Sequence, residues 1–143
     1  MKKTTISVAL ASFLFAMPAM AAHPMCGKTD LADIMGNMKD QMKVIKKAAK
    51  TGDMATLNET AQKLLAQVEK ADSYVPLAIS DKKELDATQQ ADYEKYQKGM
   101  GFLKQSVEEL IAAKDPAAIK AALGKIGKSA KKGHKAFKMD CDD

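Results

Sequence analysis

Two residue types in this sequence have side chains that commonly ligate transition metals. There are only two histidines, His23 near the N-terminus and His134 near the C-terminus, and ten methionines. Imidazole nitrogen and thioether sulfur are ligands for copper and for haem iron. A methionine on a helix more often fills the core, and a single histidine more often packs or contacts solvent. The residue types alone therefore leave both interpretations open.

The sequence lacks the patterns of the common catalytic and nucleic-acid-binding sites. It has no Cys-x-x-Cys pair, no Glu-x-x-His motif for a di-iron bundle, and no recognisable nucleophile–base or glycine-rich phosphate constellation. The formal charge is +5, but every basic residue is lysine, and only 5% of the residues are aromatic. Nucleic-acid sites rely on arginine forks and stacking rings. We expect neither an enzyme nor a nucleic-acid-binding protein.

Four segments have apolar residues at the spacing of amphipathic helices, and no segment has the alternation of a strand. The predicted helices cover residues 30–50, 54–71, 88–113 and 116–138. Thr29, Asp53 and Asp115 are predicted N-caps, and Gly52 is a predicted stop. The connections are short except at residues 72–86, so sequential helices should run antiparallel. We predict an all-α fold, an antiparallel up-down-up-down four-helix bundle.

This bundle would bring two candidate ligands to the same level. Met35 lies in the first turns of the first helix and His134 about one turn from the end of the fourth. The two helices are neighbours in such a bundle, so a sulfur and a nitrogen facing one cavity can hold haem iron axially from both sides. Met38, Tyr96 and Met100 are candidates for the cavity lining, with ordinary core packing as the alternative for all three.

The first 21 residues have the pattern of a secretory signal peptide. Lys2 and Lys3 precede an apolar run at residues 6–16, and residues 19–21 form an A-x-A cleavage pattern. A retained membrane anchor is the alternative, but the run is too short to span a bilayer. Cleavage after residue 21 would leave residues 22–143 as a single domain, lower the charge from +5 to +3, and place the protein in a periplasm.

Two cysteines remain after the signal peptide, and they bracket almost the whole mature chain. Cys26 precedes the first helix and Cys141 follows the fourth, so the bundle places both at one end. Export favours a disulfide, with free thiols or a metal pair as alternatives. Closing a loop of this length would contribute roughly 4–5 kcal/mol in the chain-entropy model, less any strain.

Several segments resemble the cytochrome b562 family of periplasmic haem proteins. They are residues 30–35, 42–48, 96–100, 107–110 and 133–138, and the resemblance covers almost all of residues 30–138. It implies one noncovalent haem b per chain, with Met35 and His134 as axial ligands. It also implies single-electron transfer with an unidentified redox partner protein. We further expect a monomer that binds no membrane after signal removal.

Two other functions remain open. Ala130 and Met100 stand where the family has a basic and an aromatic residue, and a relative that has lost haem would be a cofactor-free module for binding protein segments. The methionine-rich first helix, His23 and the amine of Ala22 suggest copper binding instead. Absorption spectra with haem, calorimetry with copper and a pulldown experiment separate the three hypotheses.

Overall fold

A computed structural model describes residues 23–141, which form four α-helices and no strand. They are α1 (Asp30–Thr51), α2 (Met54–Asp72), α3 (Ala87–Ala112) and α4 (Pro116–Phe137). The all-α prediction is confirmed, and every helix end lies within one residue of its predicted position. The predicted signal peptide at residues 1–21 lies outside the described residues. It stays a prediction, as does the single domain at residues 22–143.

None of the helices in the described range is both long and apolar enough to cross a membrane. Each helix has a polar face as well as the apolar stripe that the sequence predicts. The stripes meet in one core cluster, whose largest fully buried side chains are Ile45, Leu57, Leu64, Val68, Val107 and Leu110. Removal of these side chains from water is the main contribution that holds the helices together.

Local signals account for the helix ends. The side chains of Thr29, Asp53 and Asp115 each accept a hydrogen bond from a backbone N–H three residues later, as predicted for N-caps. Gly52 ends α1 with a φ of 73°, a left-handed conformation in which only glycine avoids a steric cost. Asp86 begins α3 as part of a capping box, which the sequence analysis did not identify.

Helices that follow one another in sequence pack closely, and two contacts between α2 and α3 agree with an antiparallel arrangement of that pair. The Tyr93 hydroxyl of α3 donates to the Asp72 carbonyl of α2 over 3.1 Å. Further along α3, Lys104 pairs with Glu69, which comes earlier in α2, over 2.8 Å. The contact that comes later in α3 is thus made with the residue that comes earlier in α2, as in an antiparallel pair of helices. By contrast, the backbones of α1 and α4 approach each other much less closely.

A disulfide joins the two ends of the described chain. Cys26, before α1, is bonded to Cys141, after α4, and their Cα atoms are 5.6 Å apart. This separation lies within the range that a disulfide spans without backbone distortion. The predicted pairing is thus present, and it fixes the start of α1 beside the end of α4 although the two helices do not pack closely along their length.

Candidate functional site

Met35 lies on the edge of the core near the start of α1. Thr29 caps this helix, and the apolar spacing then turns Ile34 and Met38 into the core, where both are buried. Met35 is half-buried and packs against the same cluster. Its thioether is therefore neither enclosed in the core nor fully in water. This position suits a side chain that contacts a group inserted at the edge of the bundle.

His134 lies in the last turn of α4, and the structure corrects one expectation about it. The sequence pattern predicted that the His134 ring would face a cavity inside the bundle, but His134 is exposed. The buried face of α4 runs through Ile119 and Ile126, and the 100° step of an α-helix places His134 to one side of that line. Its neighbours Ala130 and Gly133 are too small to cover the ring.

The backbone of His134 is hydrogen-bonded, whereas its imidazole has no polar partner within residues 23–141. Its backbone carbonyl accepts a hydrogen bond from Lys138 over 3.0 Å, which closes the end of the helix. Among residues 23–141, no hydrogen bond or ion pair engages the ring itself. The other imidazole differs, because Nε2 of His23 is 3.4 Å from Asp81 and its Nδ1 accepts from the Met25 backbone over 3.1 Å.

The three predicted lining residues are buried together in the core cluster. Met38, Tyr96 and Met100 are each at most 8% exposed. The Tyr96 hydroxyl donates to the Ala71 carbonyl over 2.8 Å, so its one polar group is satisfied inside the core. Burial raises the pKa of the Tyr96 phenol above its ordinary value, and Asp72 adds to this effect. The phenol therefore stays neutral through the physiological range.

Phe137 is a residue of this region that the sequence analysis did not assign to the site. Its ring meets that of Tyr96 edge to face, with the centroids 5.6 Å apart. Aromatic pairs of this geometry stabilise by about 0.5–1.5 kcal/mol beyond the burial of area. Phe137 follows His134 by three residues, so the contact anchors the turn that carries the histidine. The spacing of three residues places Phe137 next to His134 on the surface of α4, and this spacing could have identified Phe137 from the sequence.

Thioether sulfur and imidazole nitrogen are both donors that haem iron accepts, so the chemistry of the two candidate side chains fits that group. The thioether lies on α1 and the imidazole on α4, the two helices whose ends the disulfide joins and whose backbones stay apart. Gly36 and Gly133, which adjoin the two candidate ligands in sequence, are not crowded, because a Cβ added to either would meet no atom within 4 Å. Within residues 23–141 no cluster of three His, Cys, Asp or Glu residues forms a separate metal site.

Comparison with known proteins gives one match. A family model described as cytochrome b562 matches residues 30–138. The match begins at the first residue of α1 and ends one residue after α4, so it spans the whole bundle and includes the five candidate residues. No curated protein and no solved structure matches the chain significantly.

Proposed function

The chain belongs to the cytochrome b562 family of haem-binding electron-transfer proteins, and from this membership we propose that it binds one noncovalent haem b through Met35 and His134. The protein would act as a single-electron carrier in a periplasm. The family consists of electron carriers rather than enzymes. The observation that most supports the ligand assignment is that the His134 imidazole has no polar partner among residues 23–141 and lies on the helix that the disulfide links to the Met35 helix.

Each residue of the site has a distinct part in this proposal. His134 offers an imidazole nitrogen, and Met35 offers a thioether from the edge of the core. A haem bound by these two side chains would supply single-electron transfer, and the methionine ligand would raise its potential. Because Met35 and His134 would both hold the iron, we expect no reaction with oxygen or peroxide.

The second set of residues shapes the apolar surroundings. Met38 and Met100 present thioethers from the core, and Tyr96 contributes a ring whose hydroxyl is already bonded to Ala71. Because the phenol remains protonated, this wall adds no charge beside the site. Phe137 holds the end of α4 against Tyr96 and so limits the positions that His134 adopts.

Absorption spectroscopy tests this function. The protein is produced with haem supplied, and oxidised and reduced spectra are recorded for the wild type, Met35→Ala, His134→Ala and His23→Ala. We expect sharp reduced bands in the wild type, their loss in His134→Ala and a lower potential in Met35→Ala. His23→Ala is the matched control and should be unchanged, because its ring nitrogens are already engaged by Asp81 and Met25.

Two results would contradict the proposal. A wild-type protein that shows no sharp reduced bands with haem supplied would rule out haem as the cofactor. Spectra of His134→Ala that match the wild type would show that another residue ligates the iron. Calorimetry with copper(I) and copper(II) on the same samples examines the alternative metal, for which we expect no tight binding.

A further inference from the structure

The positive charge of the bundle is concentrated on one helix. Within its bounds α4 contains six lysines and no Asp or Glu. The other helices are nearly balanced: α1 has five lysines and three acidic residues, α2 two and three, and α3 three and four. A general excess of lysine would have raised the charge of every helix. The asymmetry instead marks α4 as a distinct electrostatic surface.

The lysines of α4 face away from the core. All six are exposed to solvent: Lys120, Lys125, Lys128, Lys131, Lys132 and Lys135. The 100° step of the helix places Lys128, Lys131 and Lys135 on one stripe, opposite the buried Ile126. Of these six lysines, only Lys125 has a carboxylate partner among the described residues: its Nζ lies 2.6 Å from Glu109. Most of the charge is therefore not compensated within the bundle.

Local helix energetics explain only a small part of this pattern. Cations in the last turn of a helix interact favourably with its dipole, and Lys135 lies there. The effect falls off within one turn, so it does not account for Lys120, Lys125 or Lys128. A lysine surface along the whole helix instead matches the requirement for attracting an acidic partner at long range.

The lysine surface also adjoins the proposed iron ligand. Lys131 and Lys138 lie three residues before and four residues after His134, which places all three on the same side of α4. A partner that binds this surface would contact the protein beside the exposed histidine. This inference therefore rests on the proposed function, since it concerns how a redox partner reaches that site.

We propose that the exposed lysines of α4 form the docking surface for an acidic electron-transfer protein. A protein fits this surface better than an anionic bilayer, because membrane-surface helices insert large apolar side chains. The large hydrophobic residues that are exposed in the described range are Met25, Val44 and Phe102, and none lies on α4. Charge complementarity alone, without an inserted apolar group, is typical of transient complexes with fast association.

Binding measurements with two triple variants test the proposal. The first, Lys128→Gln/Lys131→Gln/Lys135→Gln, removes the central stripe of α4. The matched control, Lys46→Gln/Lys47→Gln/Lys50→Gln, removes the same charge from exposed positions of α1. Association with an acidic plant-type ferredoxin and with a basic c-type cytochrome is followed at low and high salt. Haem-loaded protein is used, and the protein without added haem is measured in parallel.

We expect binding to the ferredoxin that weakens with salt, and an association rate about tenfold or more lower in the α4 variant, as steering by a charged surface predicts. The α1 variant should change the rate by about twofold or less, and the basic cytochrome should not bind. Equal losses in both variants would show a general charge effect and would overturn the proposal, as would an unaffected α4 variant.

Two further arms separate the possible failures. Vesicles of phosphatidylglycerol replace the ferredoxin in one arm, and vesicles of phosphatidylcholine serve as the control. Binding to the anionic vesicles without binding to the ferredoxin would overturn the proposed protein partner and would show that the lysines bind a membrane surface. If the protein does not bind haem but the α4 variant still binds the ferredoxin more weakly than the wild type, the proposed function fails while the docking surface stands.

Discussion

The ring of Phe137 meets the ring of Tyr96 at an interplanar angle of 84°, with the centroids 5.6 Å apart. Phe137 is the last residue of α4, and Tyr96 is buried in α3. Without this contact, the final turn of α4 would be held mainly by its hydrogen bonds and by the disulfide beyond it. The aromatic pair of Phe137 and Tyr96 thus helps to fix the position of His134, which lies three residues before Phe137.

Replacement of Phe137 by alanine should weaken both the fold and the site. We expect a loss of about 2 kcal/mol in the free energy of unfolding, below the 3–5 typical of fully buried aromatic residues, because Phe137 is half-buried. Haem affinity should fall with it. Urea denaturation and haem titration measure the two effects. The control is Phe102→Ala, which removes a ring that is 55% exposed and should cost within about 0.5 kcal/mol. Similar losses in both variants would contradict a specific role for Phe137.

Loss of the disulfide should destabilise the protein without changing its helices. The variant Cys26→Ser/Cys141→Ser opens a link across a sequence separation of 115 residues. The chain-entropy model gives an upper value of roughly 4–5 kcal/mol for a loop of this size. Urea denaturation of the variant should match that of the wild type treated with a dithiol reductant, and the reductant should not affect the variant. An unchanged midpoint would show that the disulfide does not constrain the unfolded chain.

The Tyr96 hydroxyl should make stability fall at alkaline pH. Burial raises its pKa in the folded state, whereas the unfolded state titrates near the ordinary value of 10.0. Above that value the unfolded state binds fewer protons than the folded state, so unfolding becomes more favourable as pH rises. The contribution is fully present below about pH 10 and is lost progressively above it. Thermal denaturation across this range measures the effect.

Tyr96→Phe provides the comparison for this pH dependence. It should cost about 1 kcal/mol at neutral pH, because the Ala71 carbonyl loses a buried hydrogen bond. It should also flatten the decline above pH 10. Tyr93→Phe is the matched control, since the Tyr93 hydroxyl is only partly buried and its bond to Asp72 is 3.1 Å. An equally steep alkaline decline in Tyr96→Phe would show that another group is responsible.

The Asp53 cap should make stability fall at acidic pH. Its pKa is lowered, mainly by hydrogen bonds with Thr56 at the start of α2. Because the pKa of Asp53 is lower in the folded state than in the unfolded state, its carboxylate adds stability at pH values above the unfolded-state pKa. That stability is lost as the pH falls through the folded-state pKa. Asp53→Asn keeps a capping oxygen without the carboxylate titration. Its stability should therefore depend less on pH in acid, as circular dichroism melts would show. A steeper acid decline than the wild type would contradict this account.

Most of the fold was predictable because its signals are local. Thr29, Asp53 and Asp115 mark helix starts through side-chain oxygens that accept from nearby N–H groups, and Gly52 marks a stop through its left-handed φ. Such interactions involve residues at most a few positions apart, so the sequence contains both partners. The capping box at Asp86 was equally local, and it was missed although Asp and Gln stand at the required spacing.

The residue types and spacing by themselves determined four amphipathic helices, the candidate pair Met35 and His134, and the cysteines able to meet at one end. Periodicity shows which face of a helix is apolar, but not how far a neighbouring helix covers its edge. The tertiary structure decided that His134 is exposed, that α1 and α4 stay apart, and that Phe137 packs on Tyr96. These features depend on side chains from helices distant in sequence, which is why local pattern left them open.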